Sequence, residues 1–295
     1  MSYWTLLLGH PFKVEHIDVK GLSTRAMTMG NPAGEAVIFL HGMSGHLEAF
    51  VPVAPHLASD FDLHLIDMLG HGFTAKPDEP LVMTNLANHL IGYMDARGIA
   101  KAHLVGISLG GWLAGWMAAK HGDRCLSATL IAAAGNPAMG KPEIGERVRK
   151  ITLDGVMSDD RRDTYNRVRA VVFSDAGADD EIVDTRYAVY HQPEFRANVE
   201  NMLALTDNAI YNANRLTPEM LHGVTCEVLL CWGEDDRNSG VADAAFLSDH
   251  LPKSKLVQMA RTGHWPPYER PFDFANIARA FFKDGLNAVT AGRHQ

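Results

Sequence analysis

The stretch G-I-S-L-G at residues 106–110 constrains this 295-residue chain more than any other sequence feature. It follows an apolar run at 102–105 and precedes a run with helical spacing at 112–120. Glycines flank the serine because a strand-to-helix turn this tight leaves no room for Cβ atoms. The pattern predicts that the turn presents the Ser108 hydroxyl as a nucleophile at the carboxyl end of a central strand. The alternative is a glycine-rich turn in which Ser108 has no chemical role.

Apolar runs and helical segments alternate on both sides of this turn, which predicts a mostly parallel sheet with helices on both faces. Two runs with a period of two predict antiparallel edge strands at 12–19 and 22–29. Further strands are predicted at 36–40, 62–67, 102–105, 126–132, 226–232 and 256–259. Helices are predicted at 86–96, 112–120 and 272–282. The predicted fold class is therefore α/β, with an eight-stranded sheet.

The character of the chain changes between about residues 137 and 207, where charged residues increase and strand signals fade. Helices are predicted there at 147–153, 159–173, 181–191 and 195–205. A helical block between two strands of a parallel sheet is most simply a cap over their carboxyl ends, where ligands of open α/β sheets bind. The predicted division is a core domain of residues 1–135 and 207–295 with a helical cap at 136–206.

Composition narrows the classes of partner and compartment. Lys and Arg number 27 against 35 Asp and Glu, for a net charge of −8 with no basic run. This balance argues against nucleic acid and anionic membrane as partners. The 3 cysteines are too few and scattered for a disulfide framework. The N-terminal segment lacks signal-peptide features and no run of 18 apolar residues occurs, so we expect a cytoplasmic protein that does not span a membrane.

A serine hydroxyl needs a base within hydrogen-bond reach, and this base needs a carboxylate to orient it. His264 follows the last predicted strand and is the predicted base among 15 histidines. Asp236 follows the preceding strand, with Asp235 as the rival acid. The order Ser108, Asp236, His264 is the nucleophile–acid–base order of α/β-hydrolases. We favour Asp236 because the acid of that fold usually lies three residues after the glycine that ends this strand.

An oxyanion hole needs two backbone N–H groups directed at developing negative charge. The predicted donors are the N–H of Leu109, at the start of the helix after the turn, and the N–H of Met43, with Gly42 as its neighbour. His41 is expected to order this loop rather than to react. The glycine turn at 67–72 is interpreted as structural.

The sequence contains none of the usual signatures of a zinc site or a nucleotide cofactor. The histidine pairs at 41 and 46 and at 64 and 71 match no zinc signature. Neither a phosphate-binding G-x-x-x-x-G-K-[ST] motif nor a strand-borne G-x-G-x-x-G occurs. We therefore expect an enzyme without a cofactor or metal.

Several segments resemble the meta-cleavage product hydrolases, the C–C bond hydrolases of the α/β-hydrolase superfamily that act in aromatic degradation. G-E-D-D-R at 233–237 is similar to their acid loop, and G-H-W-P at 263–266 with E-R at 269–270 is similar to their histidine loop. T-R-Y at 185–187 followed by Q-P-E at 192–194 resembles their substrate-binding cap helix. The resemblance implies an α/β-hydrolase fold and a homo-oligomer, a dimer or larger.

The same resemblance implies a substrate of the 2-hydroxy-6-oxo-hexa-2,4-dienoate type, hydrolysed across its C5–C6 bond. Arg186 would bind the carboxylate or oxo oxygens of the dienoate, and Trp265 would form an apolar wall. A planar guanidinium suits a carboxylate and stabilises charge that builds on a dienolate. The other interpretation of Arg186 is an exposed arginine of the cap helix.

Other functions remain open on this fold. A carboxylesterase or lactonase would use the same triad, and a binding protein or a cofactor-free dioxygenase would use the same scaffold. A haloalkane dehalogenase is disfavoured because it needs a carboxylate where Ser108 stands. The chain also departs from the resembled family at Ile107, at M-S-G in 43–45 and at N-S-G in 238–240.

Overall fold

The computed structural model describes residues 2–137 and 141–294, and its centre is one nine-stranded sheet. The spatial order of the strands is β1-β2-β4-β3-β5-β6-β7-β8-β9. Strands β3 to β9 run parallel, whereas β2 is antiparallel to β1 and β4. The strands are β1 (Phe12–Val19), β2 (Leu22–Gly30), β3 (Ala36–Leu40), β4 (Asp62–Ile66), β5 (Ala102–Ile107), β6 (Cys125–Ile131), β7 (Glu227–Gly233), β8 (Ser254–Met259) and β9 (Gly292–His294).

The predicted α/β class and mostly parallel sheet are confirmed, and two details of the strand prediction change. The sheet has nine strands rather than eight because Gly292–His294 adds a strand beside β8. A strand of three residues is too short to show an apolar run or an alternation. Only β1 of the predicted edge pair is an edge within the described residues, since β2 also pairs with β4.

Helices occupy most connections between the strands. Those of the described residues are α1 (Tyr3–Leu6), α2 (Ala54–Leu57), α3 (Met83–Ala96), α4 (Leu109–Lys120), α5 (Pro142–Met157), α6 (Arg161–Arg169), α7 (Asp180–Tyr190), α8 (Pro193–Ala197), α9 (Val199–Met202), α10 (Asn208–Asn214), α11 (Pro218–His222), α12 (Val241–His250), α13 (Pro266–Glu269) and α14 (Pro271–Asp284).

Alternate residues of the central strands point to two separate hydrophobic layers. In β3, Ile38 lies in one layer with residues of α3 and α4, while Val37 and Phe39 lie in the other with residues of α14. Every residue of β3 and β5 is buried, as expected for parallel strands covered on both faces. The sheet is therefore a rigid platform, and its carboxyl edge is formed by the loops that follow these strands.

The segment between β6 and β7 is helical and packs onto both layers. Val156 and Tyr190 join the layer of α4, whereas Val168 and Val183 join the other layer. The predicted single helix at 195–205 is wrong, because α8 and α9 are separated at Asn198 and followed by a 3₁₀ turn at Ala204–Thr206. The Asn198 amide donates to the carbonyl of Glu194, a local bond that competes with helix continuation.

None of the helices within 2–137 and 141–294 combines the length and the apolar character that crossing a membrane requires.

Candidate active site

The turn between β5 and α4 holds Ser108 in a strained backbone conformation, with φ 55° and ψ −109°. A Cβ atom added to Gly106 would lie 2.0 Å from the carbonyl oxygen of Gly110. One added to Gly110 would lie 2.0 Å from the carbonyl oxygen of Leu40. Both glycines are therefore required by close backbone approach, and the sharp turn directs Ser108 away from the strand axis, as in a nucleophile elbow.

The loops after β7 and β8 bring Asp236 and His264 together. The Nδ1 atom of His264 is 2.7 Å from Oδ2 of Asp236, whose side chain is fully buried. The other oxygen of Asp236 accepts a hydrogen bond from the N–H of Asn238. Asp235 is exposed and makes no ion pair within the described ranges. The geometry thus favours Asp236 over Asp235 as the carboxylate that orients the imidazole.

Glu269 fixes the loop that carries His264. Its carboxylate accepts hydrogen bonds from the N–H groups of Gly263, Trp265 and Phe173. Burial raises the pKa of Glu269, although these three N–H groups oppose the shift. In the sequence, Glu269 belongs to the histidine-loop resemblance, but no motif there indicates this role for its carboxylate.

Ser108 and His264 line the same cavity, which has a volume of about 330 Å³. Across residues 2–137 and 141–294, no hydrogen bond joins the Ser108 hydroxyl to His264. In proteins without bound substrate, catalytic hydrogen bonds are often long and tighten only in the complex. Asp236 and His264 are therefore hydrogen-bonded to each other, and Ser108 lies with His264 in the wall of the same cavity.

Two backbone N–H groups near Ser108, the predicted oxyanion-hole donors, have no backbone hydrogen-bond acceptor among the described residues. Leu109 begins α4, so its N–H has no acceptor within the helix. The Met43 N–H makes no backbone hydrogen bond to another described residue. A Cβ atom on Gly42 would lie 3.4 Å from Cβ of Ser108, which shows how closely this loop approaches the serine.

His41 orders the same loop, as the sequence analysis expected. Its Nδ1 donates to the carbonyl of Gly42 at 2.8 Å, and its Nε2 accepts from the N–H of Met68 at 3.0 Å. This pair of bonds requires the neutral imidazole. Burial and the neighbouring His71 hold the pKa of His41 well below its usual value, so it stays neutral.

The turn after β4 is likewise held by buried hydrogen bonds. The Asp67 carboxylate accepts from the N–H groups of Leu47 and Phe73. It also pairs with Arg25, which binds Glu48 as well. Each of these charges has a partner, which fits the structural interpretation of this turn.

Arg186 lies on α7 with its side chain fully buried. Its Nε donates to Nε2 of His46 at 3.5 Å, and its guanidinium carbon lies 4.8 Å from the ring centroid of Trp265. Neither Nη atom has a hydrogen-bond partner among the described residues, and Arg186 makes no ion pair there. The interpretation of Arg186 as an exposed surface arginine is therefore wrong.

A smaller apolar cavity of about 80 Å³ adjoins the other side of Ser108 and Leu109. Trp112, Leu205 and Tyr211 contribute to its wall. Ser108 thus borders both cavities, and the larger one carries four arginine side chains. Among the side chains of 2–137 and 141–294, no cluster of three or more His, Cys, Asp or Glu could hold a metal ion.

Comparison with known proteins agrees with this architecture. The chain matches the family model described as the alpha/beta hydrolase fold over residues 35–271. Because this match covers most of the chain, the protein belongs to the α/β-hydrolase family.

Similar proteins include hydrolases named for 2-hydroxy-6-oxo-dienoate substrates. The chain is 28% identical to the 2-hydroxy-6-oxo-6-(2'-aminophenyl)hexa-2,4-dienoic acid hydrolase of Metapseudomonas resinovorans, over 90% of this chain and 89% of that protein. It is 26% identical to the dihydrolipoyllysine-residue acetyltransferase component of the acetoin cleaving system of Cupriavidus necator, over 87% of this chain and 66% of that protein. The resemblance to meta-cleavage product hydrolases is confirmed as a similarity, while relatives of this kind differ in activity.

Among solved structures, the 2-hydroxy-6-oxo-6-phenylhexa-2,4-dienoate hydrolase of Rhodococcus sp. strain RHA1 superposes with a TM-score of 0.83. The match covers 93% of this chain and 99% of that chain at 24% sequence identity. At this identity the superposition establishes the shared fold.

Proposed function

We propose that this protein is a serine-dependent hydrolase that cleaves a C–C bond in substrates of the 2-hydroxy-6-oxo-hexa-2,4-dienoate type. The observation that carries the proposal is the buried guanidinium of Arg186, whose two Nη atoms lack partners in the described structure. It lines the same cavity as Ser108 and His264. A buried cation without a carboxylate is costly, and an anionic substrate would supply the missing partner.

In the proposed reaction, Arg186 binds the carboxylate or oxo oxygens of the dienoate and stabilises the negative charge of the dienolate. The substrate first converts from its enol to its keto form, which creates an electron sink next to the bond to be broken. His264, oriented by Asp236, serves as base for Ser108 or for water. The N–H groups of Met43 and Leu109 stabilise the oxyanion that forms at C6.

Hydrolysis then breaks the C5–C6 bond and consumes one water molecule. The hydroxyl of the water is retained at C6, which leaves as a carboxylic acid. C5 received its proton in the enol-to-keto step, and the electron pair of the broken bond now forms the dienolate. Its C2 oxygen takes up the remaining proton of the water, which gives a 2-hydroxypentadienoate. Attack by Ser108 and addition of water activated by His264 lead to the same two products.

We propose that residues 136–206 form a cap above the carboxyl edge of the sheet. Residues 138–140 of this segment lie outside the described residues. The helices of this segment supply Arg186 and other side chains to the cavity wall, which supports the division. Trp265 would form the apolar wall against the planar dienoate, since its buried ring already stacks on Arg186.

We also propose a cytoplasmic location and a homo-oligomer, a dimer or larger. All three cysteines are free thiols, and two of them are buried, as is usual in a reducing compartment. Sedimentation velocity of the purified protein tests the oligomer, because a single species of 32.3 kDa would contradict it.

The alternative is a carboxylesterase or lactonase, which would use the same triad on an ester. The unpaired Arg186 favours the dienoate, because a neutral ester has no group that would compensate a buried cation. Stopped-flow decay of dienolate absorbance would measure cleavage of ring-fission products bearing methyl, isopropyl and phenyl groups. p-Nitrophenyl acetate would serve as the ester.

Arg186→Met should reduce kcat/KM on the dienoates by about 30-fold or more while changing ester hydrolysis only slightly. Ser108→Ala should abolish both reactions, by about 1,000-fold or more. Arg162→Met, on an exposed side chain, is the matched control and should change neither. Equal losses on dienoate and ester in Arg186→Met would reject the carboxylate role, and the absence of dienoate cleavage by the wild type would reject the proposed function.

A further inference from the structure

A second arginine enters the cavity, and the sequence analysis did not single it out. Arg167 lies on α6 and is only 7% exposed. Its Nε donates to Oγ1 of Thr152, and one Nη donates to the carbonyl oxygen of Met43, each at 3.2 Å. It makes no ion pair with any carboxylate in residues 2–137 and 141–294. Burial and the nearby Arg186 lower its pKa, yet an arginine remains protonated in proteins.

Arg167 faces the inside of the protein, away from the carboxylates that pair with two other arginines of α6. Arg161 binds Asp180 and Asp184, and Arg169 binds Asp175, whereas Arg162 is exposed and makes no ion pair among the described residues. Acidic side chains are therefore available to this helix on its outer side. Arg167 lies instead on the apolar stripe of α6 and points into the cavity.

The charged side chains that line the cavity are all positive. Four arginines line it, and no Asp or Glu of the described residues does. Arg167 and Arg186 are its two buried cations, while Arg147 and Arg237 lie at more exposed positions. Asn238 adds a polar side chain to the same wall.

The two buried cations are held independently. Arg186 is bound to His46 and stacked on Trp265, whereas Arg167 is bound to Thr152 and to the loop of Met43. No carboxylate holds either cation in the described structure, so each can take an anionic partner of its own. A ligand with two separated anionic groups would compensate both.

We propose that Arg167 forms a second anion subsite, so that the preferred substrate is a dianion with a carboxylate on the variable side chain at C6. This inference rests on the proposed function and specifies its substrate class. The dienoate carboxylate occupies Arg186, and the distal carboxylate occupies Arg167. Both ends of the dianion are thereby fixed by charge-assisted hydrogen bonds.

The test compares two substrates of nearly equal shape: a 2-hydroxy-6-oxo-dienoate with a 2-carboxyethyl group at C6 and the same molecule with a 2-carbamoylethyl group. The wild type should cleave the carboxylate with a kcat/KM at least about 30-fold higher, because the amide leaves Arg167 unpaired. Arg167→Met should remove this preference, and Arg167→Lys should restore part of it.

Arg167 also holds the carbonyl of Met43, so Arg167→Met will lower the rate on both substrates to some extent. The ratio between the substrates, rather than either rate, is therefore the readout, and thermal unfolding checks that the variant folds. Arg162→Met on the same helix should leave the ratio at its wild-type value.

Two failures are distinguishable. If the wild type cleaves both substrates equally well, or if Arg167→Met lowers both by the same factor, the second subsite is wrong while the hydrolase proposal stands. If the wild type cleaves neither substrate and no dienoate with an uncharged alkyl or aryl group at C6, the proposed function itself fails.

Discussion

Two regions of the described structure hold arginines with little solvent exposure, and the regions differ in whether a carboxylate pairs with the arginine. Behind the loop that follows β3, Arg25 is paired with the carboxylates of Glu48 and Asp67. In the cavity, Arg167 and Arg186 have no carboxylate partner among the described residues. His46 connects the regions, since its Nδ1 bonds Glu48 and its Nε2 accepts from Arg186.

A carboxylate partner distinguishes a buried charge that stabilises the fold from one that is available to a ligand. A buried ion pair is strongly destabilised when one partner is removed, because the other charge stays uncompensated. A buried charge without a partner is already uncompensated, so removing it costs no stability. The paired region should therefore control folding, and the unpaired region should control binding and catalysis.

The largest expected effect on stability is at Arg25. Arg25→Met should lower the free energy of unfolding by about 3 kcal/mol, because the Glu48 and Asp67 carboxylates would remain buried together. Urea unfolding followed by circular dichroism measures the change. Its control is Arg97→Met, which removes an arginine of a more exposed ion pair with Glu15 and should cost less than about 1 kcal/mol. Equal losses in the two variants would break the comparison.

The next effect is a pH dependence created by histidines that stay neutral near the unpaired cations. Burial lowers the pKa of His71 from 6.5 to about 4, and burial with His71 and Arg186 among its neighbours lowers that of His41. The unfolded chain binds protons to these groups below pH 6.5 and the folded protein does not, so stability is complete above this pH and falls towards pH 4. His71 alone should cost about 2 kcal/mol at pH 5.

Urea unfolding at pH 7 and pH 5 tests this dependence. His71→Gln should unfold with a smaller difference between the two pH values than the wild type. His16→Gln, at an exposed position, should leave the difference unchanged. Stability that does not fall between pH 7 and pH 5 would contradict the neutral state of the buried rings.

A smaller effect of the opposite sign is expected at Arg186. Arg186→Met should leave the free energy of unfolding unchanged or raise it by about 1 kcal/mol, because the variant no longer buries an unpaired cation. The same urea experiment measures it beside Arg25→Met. A loss of stability similar to that of Arg25→Met would show that Arg186 is a structural residue.

How far the sequence predicts this site depends on how local each feature is. The turn around Ser108 is determined by glycines within a few residues of it, so its pattern predicts it directly. The choice of Asp236 over Asp235 came from the usual spacing in this fold, and the bond to His264 favours it. The roles of these residues stay predictions until activity is measured.

Other features depend on contacts between distant segments. Nothing local distinguishes Arg167 from the three other arginines of α6, since its isolation from carboxylates arises from packing against the sheet edge. The one available signal is its position beside Thr164, Val168 and Val171, which form a buried helical stripe. The role of Glu269 in fixing the His264 loop cannot be read from the sequence, because one of the N–H groups that donate to its carboxylate comes from a distant segment, at Phe173.

A further expected effect, of a size similar to that at Arg186, is stabilisation by an anion. Glutarate, a dicarboxylate without a scissile bond, should stabilise the wild type by about 1.4 kcal/mol at ten times its Kd. Arg186→Met and Arg167→Met should each weaken this stabilisation, whereas Arg25→Met should retain it. Thermal unfolding with and without glutarate measures the shift. Equal stabilisation of all four proteins would place the anion outside the cavity.

The most direct test of the central claim is a crystal structure of Ser108→Ala with a bound 2-hydroxy-6-oxo-dienoate. The account predicts the dienoate carboxylate about 3 Å from both Nη atoms of Arg186, with the C6 carbonyl oxygen facing the N–H groups of Met43 and Leu109. A carboxylate bound elsewhere, with the Arg186 guanidinium still unpaired, would contradict it.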